Sequence, residues 1–218
     1  MIIDKNYPGL KIVYKKYYFD GDIVCKEDIK IDLNLHLFIN GSIIAGRSIS
    51  ADGAISADGA ISAGGTISAG GTIEAGRRIE SGILIRAEGS IRAGGWIISG
   101  GLISAGISIK ARGSIEADGA IEAEGTIMAG GLIKSGGLIR MSGVTSTSLR
   151  IVVGAIYPIW VMDTHIKIGC HIKSKSEWLE IISSPNGKDI ANTLDSDRTT
   201  CGTEMWQERA LIAALCSY

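Results

Sequence analysis

Proline is almost missing, with three residues in 218. That scarcity, together with the lack of a three-residue glycine period, excludes collagen and a proline-rich linker. Neither sign of charge is in surplus, since 22 Lys and Arg stand against 23 Asp and Glu. The basic excess of a nucleic-acid binder is therefore absent, and no nucleic-acid partner is expected. Cys25, Cys170, Cys201 and Cys216 are few and widely spaced, and no apolar leader follows a basic start. Both features point to a reduced, cytoplasmic chain rather than a secreted disulfide scaffold. The longest apolar run, Ile151 to Met162, is too short to cross a bilayer, so no membrane role is expected. Glycine, in contrast, reaches 30 residues, and its distribution is regular.

Isoleucine recurs at every sixth position from Ile43 to Ile139, seventeen times, without an insertion or deletion. Two residues after each isoleucine stands alanine in thirteen cases, with Ser81, Ser99, Ser135 and Met141 as the exceptions. The remaining odd position is mostly glycine (Gly53, Gly59, Gly65, Gly71), with Arg47, Arg77, Ile83 and Ile107 departing from it. The repeat is G-x-I-x-A-x. Its period of two within each unit means extended chain with one face in and one face out. A six-residue unit cannot bury its own apolar side, but stacked copies bury one another's.

Three such units per turn predict a mainly β, triangular solenoid of 18 residues per coil. Residues three after the isoleucines are mostly Gly or Asp (Gly46, Asp52, Asp58, Gly64), suited to corners that leave ordinary β geometry. Upstream, Ile23, Cys25, Ile29, Ile31, Leu33, Leu35, Leu37 and Ile39 keep the odd-numbered phase. The expected organisation is a cap over residues 1–22, a solenoid of six to seven coils over 23–143, and a C-terminal α+β module over 144–218. Open coil ends would expose unpaired strand edges, hence the expectation of caps.

An 18-residue coil also predicts which outward residues are stacked. Glu74 falls beside Arg92, Glu116 beside Lys134, and Glu122 beside Arg140. One outward column reads Ser48, Thr66, Leu84, Leu102, Ala120, Leu138, and Trp96 and Leu132 share a neighbouring one. Outward apolar residues in register mark a surface that something covers. The cover is the chain's own C-terminal segment, a second copy, or a foreign protein. A Ser/Thr column (Thr72, Ser90, Ser108, Thr126) brings an ice-binding face to mind, but the charged column beside it (Glu74, Arg92, Lys110, Met128) spoils such a surface.

From residue 144 the hexad stops and three of the four tryptophans appear. The stretch from Ile166 to Lys173 alternates as one half-buried strand, with Ile166, Ile168, Cys170 and Ile172 on one side and His165, Lys167, His171 and Lys173 on the other. The basic face of Lys167, His171, Lys173 and Lys175 is a candidate surface for an anionic partner. Ser174-Lys175-Ser176-Glu177 has the spacing of a capping box opening a helix through Trp178, Leu179 and Ile182. After a turn at Pro185-Asn186-Gly187, Thr203 is suited to cap a second helix carrying Met205, Trp206, Ala210, Leu211 and Leu215. His165, Cys170 and His171 do not converge as metal ligands on such a strand. No cofactor, metal or catalytic residue is expected.

On its G-x-I-x-A-x units, residues 23–143 resemble the bactofilin family of polymer-forming bacterial cytoskeletal proteins. The resemblance implies a right-handed triangular β-helix that assembles end to end, although this chain adds a folded tail where that family has short disordered ones. The segment DTHIKIGCHIKSKSEW is similar to tails of uncharacterised bacterial and phage solenoid proteins, which implies a bacterial or phage-infected setting. The other hexapeptide family, the left-handed acyltransferases, needs a catalytic histidine between subunits, and no histidine occurs between Leu37 and Thr164. His36 is the one candidate base near the coil, and it reads as an outward, solvated side chain. The expected function is therefore a non-enzymatic scaffold that self-associates or presents its tail. The alternatives are a phage or mobile-element protein that blocks a host defence factor, and an acyltransferase.

Overall fold

The computed structural model of the chain describes residues 1–141, 144–146, 149–152, 159–168, 171–184 and 209–216. They form two compact units, Met1–Thr145 and Ser146–Tyr218. In the first unit each hexad is a three- or four-residue strand followed by a short corner, and successive strands turn through three parallel sheets before the chain returns to the first. The three faces hold seven, nine and eight strands: the first contains Ile43–Ala45, the second Ile49–Ala51 and the third Ile55–Ala57. The fold is a β-solenoid of about seven turns, as the hexad predicts.

Register is set by side-chain identity. Ile61 pairs with Ile43 on one side and Ile79 on the other, and Ile79 pairs with Ile97. Each of the three faces repeats this 18-residue step. Every isoleucine of the row from Ile43 to Ile127 is 0% exposed. A one-residue slip would turn the whole row outward and the polar residues inward, so the alternation holds the stack in phase.

The corner glycines serve a different purpose from the one expected. Among the described residues the glycines with left-handed backbone are Gly9 and Gly21, neither of them in the repeat. Gly82 instead lies so close to the adjacent coil that a Cβ built on it would overlap the carbonyl oxygen of Gly64. Close approach, not unusual φ, selects glycine at this corner. The alanine positions held by serine also cluster there. Ser81 Oγ accepts from the backbone N–H of Leu84 (3.0 Å) and lies 2.5 Å from Gly65 O, while Ser135 Oγ donates to Gly119 O (2.7 Å). The Ser81 hydroxyl gives the Leu84 N–H an acceptor, while Gly65 O and Gly119 O, which already accept from the backbone N–H groups of Ile83 and Gly137, each take a serine hydroxyl as a second donor.

Upstream, the ladder runs further than the phase indicated. Residues 1–22 contribute strands of their own: Ile2–Ile3 pairs with Ile29–Ile31, and Lys16–Phe19 with Leu37–Ile39, both parallel. Lys11–Val13 folds back antiparallel on Lys16–Phe19 and closes the outer edge of the third face. The tip of that hairpin, Tyr14 and Lys15, has φ of 49° and 61°, the left-handed pair of a tight primed turn. Ile23 pairs with Ile43 and Ile29 with Ile49, steps of twenty rather than eighteen. The two extra residues sit between Ile31 and Leu37, where Leu33 is buried.

In the second unit four antiparallel strands lie in chain order, Leu149–Val152, Ile159–Met162, His165–Ile168 and His171–Ser174. Helix α1 (Lys175–Ser183) opens with the expected capping box at Ser174 and Glu177. Helix α2 spans Arg209–Cys216. Ile159, Val161, Ile166, Ile168, Trp178, Ile181, Ile212 and Cys216 make the core of this unit. The Trp178 indole N–H donates to Ile166 O at 2.9 Å, joining α1 to the sheet. The turn at Pro185, the Thr203 cap and Cys170, Cys201, Met205 and Trp206 lie outside the described residues.

Candidate interaction surface

The apolar columns of the solenoid surface follow from the register. Thr66, Leu84 and Leu102 are stacked in that order at the start of the second face. Leu84 and Leu102 are half-buried, whereas Leu138, one alanine further along, is 47% exposed. Trp96 and Leu132 are also exposed, but they stand at the start of the first face, so the width of that face separates them from the leucine column. Residues passed over by the pattern fill part of the gap. Ile98 lies on the first face between Trp96 and the corner, and Ile83, 60% exposed, stands beside Leu84 with its carbonyl next to Gly101. Ile83 was legible as a departure from glycine in the repeat, and an exposed isoleucine there adds side-chain area that a glycine lacks. Ile83, Leu84, Leu102, Ile98 and Trp96 thus make an apolar band wrapped round one corner.

Charge is distributed differently on each face. The third face presents Tyr18, Phe38, Ser56, Glu74, Arg92, Lys110 and Met128 in one outward column, each in register with the next. The corner beside it carries Asp58 and Arg112. None of Asp58, Glu74, Arg92, Lys110 and Arg112 makes an ion pair within the described residues, where the pairs include Lys30–Asp32, Glu27–Arg47 and Arg78–Glu80. The columns expected to be complementary are therefore adjacent in register without closing to salt bridges. Two shallow grooves run along this face and share Glu74 and Gly76: one of about 280 Å³ beside Lys16, His36 and Asp58, and one of about 340 Å³ beside Arg92, Lys110 and Arg112. A third, of about 520 Å³, lies along Arg86, Glu88, Glu122, Glu124 and Arg140 at the end of the second face.

His36 is not the solvated side chain it was expected to be. Its Nε2 is buried without a hydrogen-bond partner, and it occupies the two-residue excursion before Leu37. Burial pushes its pKa below the usual imidazole value, Lys16 adds to the effect, and Glu74 opposes it.

The tail departs from its expected face in one respect. His165–Ile168 and His171–Ser174 are two antiparallel strands rather than one, with Lys167 paired to Ile172 and Ile168 to His171. Directly opposed residues of an antiparallel pair share a side, so the phase inverts between Ile168 and His171. Lys167 therefore lies with Ile172 and Trp160, while His171 and Lys173 lie with Ile168 and Ile166. The basic face assembled from Lys167, His171 and Lys173 does not exist as one surface. Lys167 is 7% exposed, with its ammonium 5.6 Å from the centre of the Trp160 ring, a cation–π distance. The capping-box contacts from Ser174, side chain first and backbone second, hold the Glu177 carboxyl below its ordinary pKa.

No helix among the described residues is long and apolar enough to cross a membrane. Compared with family models, curated proteins and solved structures, the chain matches none.

Proposed function

We propose that this chain is a non-enzymatic scaffold whose stiff solenoid self-associates and presents its C-terminal unit. The observation that carries this reading is the coincidence of an unbroken ladder with an apolar band, Ile83, Leu84, Leu102, Ile98 and Trp96, left on its outside. A surface of that kind exposed to water favours association, because about 25 cal/mol is recovered for each Å² of apolar area covered. The ladder also ends in strands without an outer neighbour among the described residues: Ile23–Cys25 at one end of the first face and Ile133–Ser135 at the other. Such edges are templates for further pairing, which supports end-to-end assembly of the kind the bactofilin resemblance implies.

The cytoplasm of a bacterial or phage-infected cell is the proposed setting, and another copy of the chain is the proposed partner. Light scattering across a wide concentration range tests the reading. The native chain is expected to form a reversible oligomer, and Leu102→Glu to weaken it. A strict monomer at high concentration, unaltered by Leu102→Glu, removes self-association from the proposal.

A further inference from the structure

The third face carries a charge sequence that matches its own reverse. Reading along the solenoid axis, the outward column runs Phe38, Ser56, Glu74, Arg92, Lys110, Met128. Place a two-fold axis along the strand direction, midway between the Glu74 and Arg92 coils, and bring a second copy face to face and antiparallel. Coils at equal distance from that axis then meet. Glu74 meets Arg92 of the second copy, Phe38 meets its Met128, and its Lys110 falls opposite Ser56, which is itself buried. In the corner column Asp58 meets Arg112 and Gly76 meets Gly94. The charged pairs in this arrangement, Glu74 with Arg92 and Asp58 with Arg112, are opposite in sign, no like charges are opposed in these two columns, and each pair occurs twice because the interface is isologous.

We propose that the third face is a lateral docking surface for a second copy of this chain, bound antiparallel about that axis. Three observations favour it. Arg92 and Lys110 are stacked on adjacent coils, with Arg112 at the neighbouring corner, so like charges are held together and leave unmet demand for carboxylates. Asp58 and Glu74, which would supply them, have no ion pair of their own within the described residues. The column between the charges and the preceding corner is small: Thr72, Ser90 and Ser108, with Ser90 buried and its Oγ 3.1 Å from that of Ser108. Small side chains let two sheets approach to the roughly 10 Å of stacked faces.

The other two faces lack this property. On the second face, the axis that would match Arg86 to Glu122 also sets Glu88 against Glu124. On the first, Glu80 and Glu116 flank Ile98, and Lys134 is the one cation in the column from Ile44 onward. The area is modest. Six coils at roughly 4.8 Å and a strand width of four to five residues at roughly 3.3 Å give about 400 Å² per copy, or about 800 Å² in all, short of the roughly 1,200–2,000 Å² of stable complexes. The contact is thus weak, reversible and sensitive to salt.

The pairing is independent of the apolar band proposed above, and its test separates the two. Four full-length chains, all carrying Leu102→Glu to silence that band, are compared by sedimentation velocity at low salt: no further change, Glu74→Arg, Arg92→Glu, and both together. Far-ultraviolet circular dichroism checks that the coil is retained in each. Either single reversal is expected to weaken dimerisation at least about tenfold, since it sets like charges together at two symmetric places. The double reversal restores dimerisation. Mixing the two single variants does so too, because the arginine introduced in one copy then meets the glutamate introduced in the other. A Leu102→Glu chain that stays monomeric overturns the lateral pairing but leaves the scaffold reading to its own experiment. Dimers that ignore the reversals, or singles that fail to rescue each other, overturn it as well.

Discussion

Replacing Ile79 by alanine tests the spine at its centre. Ile79 is 0% exposed and lies between Ile61 and Ile97 in a ladder whose backbone bonds hold the coils at fixed height. Three carbons are removed. Their transfer is worth roughly 2.4 kcal/mol. The coils cannot close on the space left, so a residual cavity of about 40 Å³ adds about 1 kcal/mol at roughly 24 cal/mol per Å³. A loss of about 3 kcal/mol follows, or a fall in melting temperature of roughly 6–12 °C for a chain of this size. Urea unfolding followed by far-ultraviolet circular dichroism measures it. The control is Ser62→Ala, which touches the outward residue next to Ile61, pairs in register with Ile44 and Glu80, and should change stability by less than about 0.5 kcal/mol. Equal effects at the two positions would refute the idea that burial along the axis, and not the hydrogen-bonded ladder alone, holds the coils together.

Gly82→Ala should destabilise by about 1–3 kcal/mol, since its Cβ would overlap Gly64 O and the coils must separate locally to admit it; thermal melting compared with Gly65→Ala, where the nearest atom is a serine hydroxyl at 2.8 Å, shows whether backbone crowding is the cause. His36, with its pKa depressed in the fold, contributes stability that is present above its unfolded value near 6.5 and is lost as pH falls through the lower folded value, so proton NMR should find it titrating below a free imidazole and His36→Phe should flatten the acid limb of the melting curve. Glu177, also depressed, contributes above its unfolded pKa and ceases to do so as pH falls through the folded one; Trp178 fluorescence in Glu177→Gln should then lose pH dependence in the acid range. Burial raises the Cys216 thiol, so peptide mapping after brief iodoacetamide treatment at neutral pH should find Cys25 alkylated well before Cys216.

The solenoid was legible because one residue type returns at one interval, and a stacked fold converts that interval directly into geometry. Where the alternation misleads, the cause is parity. Two extra residues between Ile31 and Leu37 leave odd-numbered residues inward, so the longer first coil is invisible to an alternation count and shows only in the pairing of Ile23 with Ile43. The pairing of His165–Ile168 with His171–Ser174 fails in the converse way: Ile168 and His171 share a side, while the sequence alternates straight through from Ile166 to Lys173. The strand Ile159–Met162 gave no alternation to find, because Ile159, Trp160, Val161 and Met162 are all buried and both sides of that strand are covered. The apolar band was half visible. Leu84 and Leu102 stand in the column that an 18-residue coil dictates, but the contribution of Ile83 and Ile98 depends on how the chain rounds the corner.

Because each coil is an interchangeable storey, height and end chemistry are decoupled in this molecule. Removing residues 61–78 would join Ala60 to Ile79 in phase, shorten the column by roughly 4.8 Å, and leave both termini of the prism as they were. Lengthening by duplication would work in the same way. The palindrome on the third face does not share that indifference: excising the storey that holds Glu74 leaves Arg92 next to Ser56 and takes away its symmetric counterpart, so length in this chain is free to drift only where no face is being read by a neighbour.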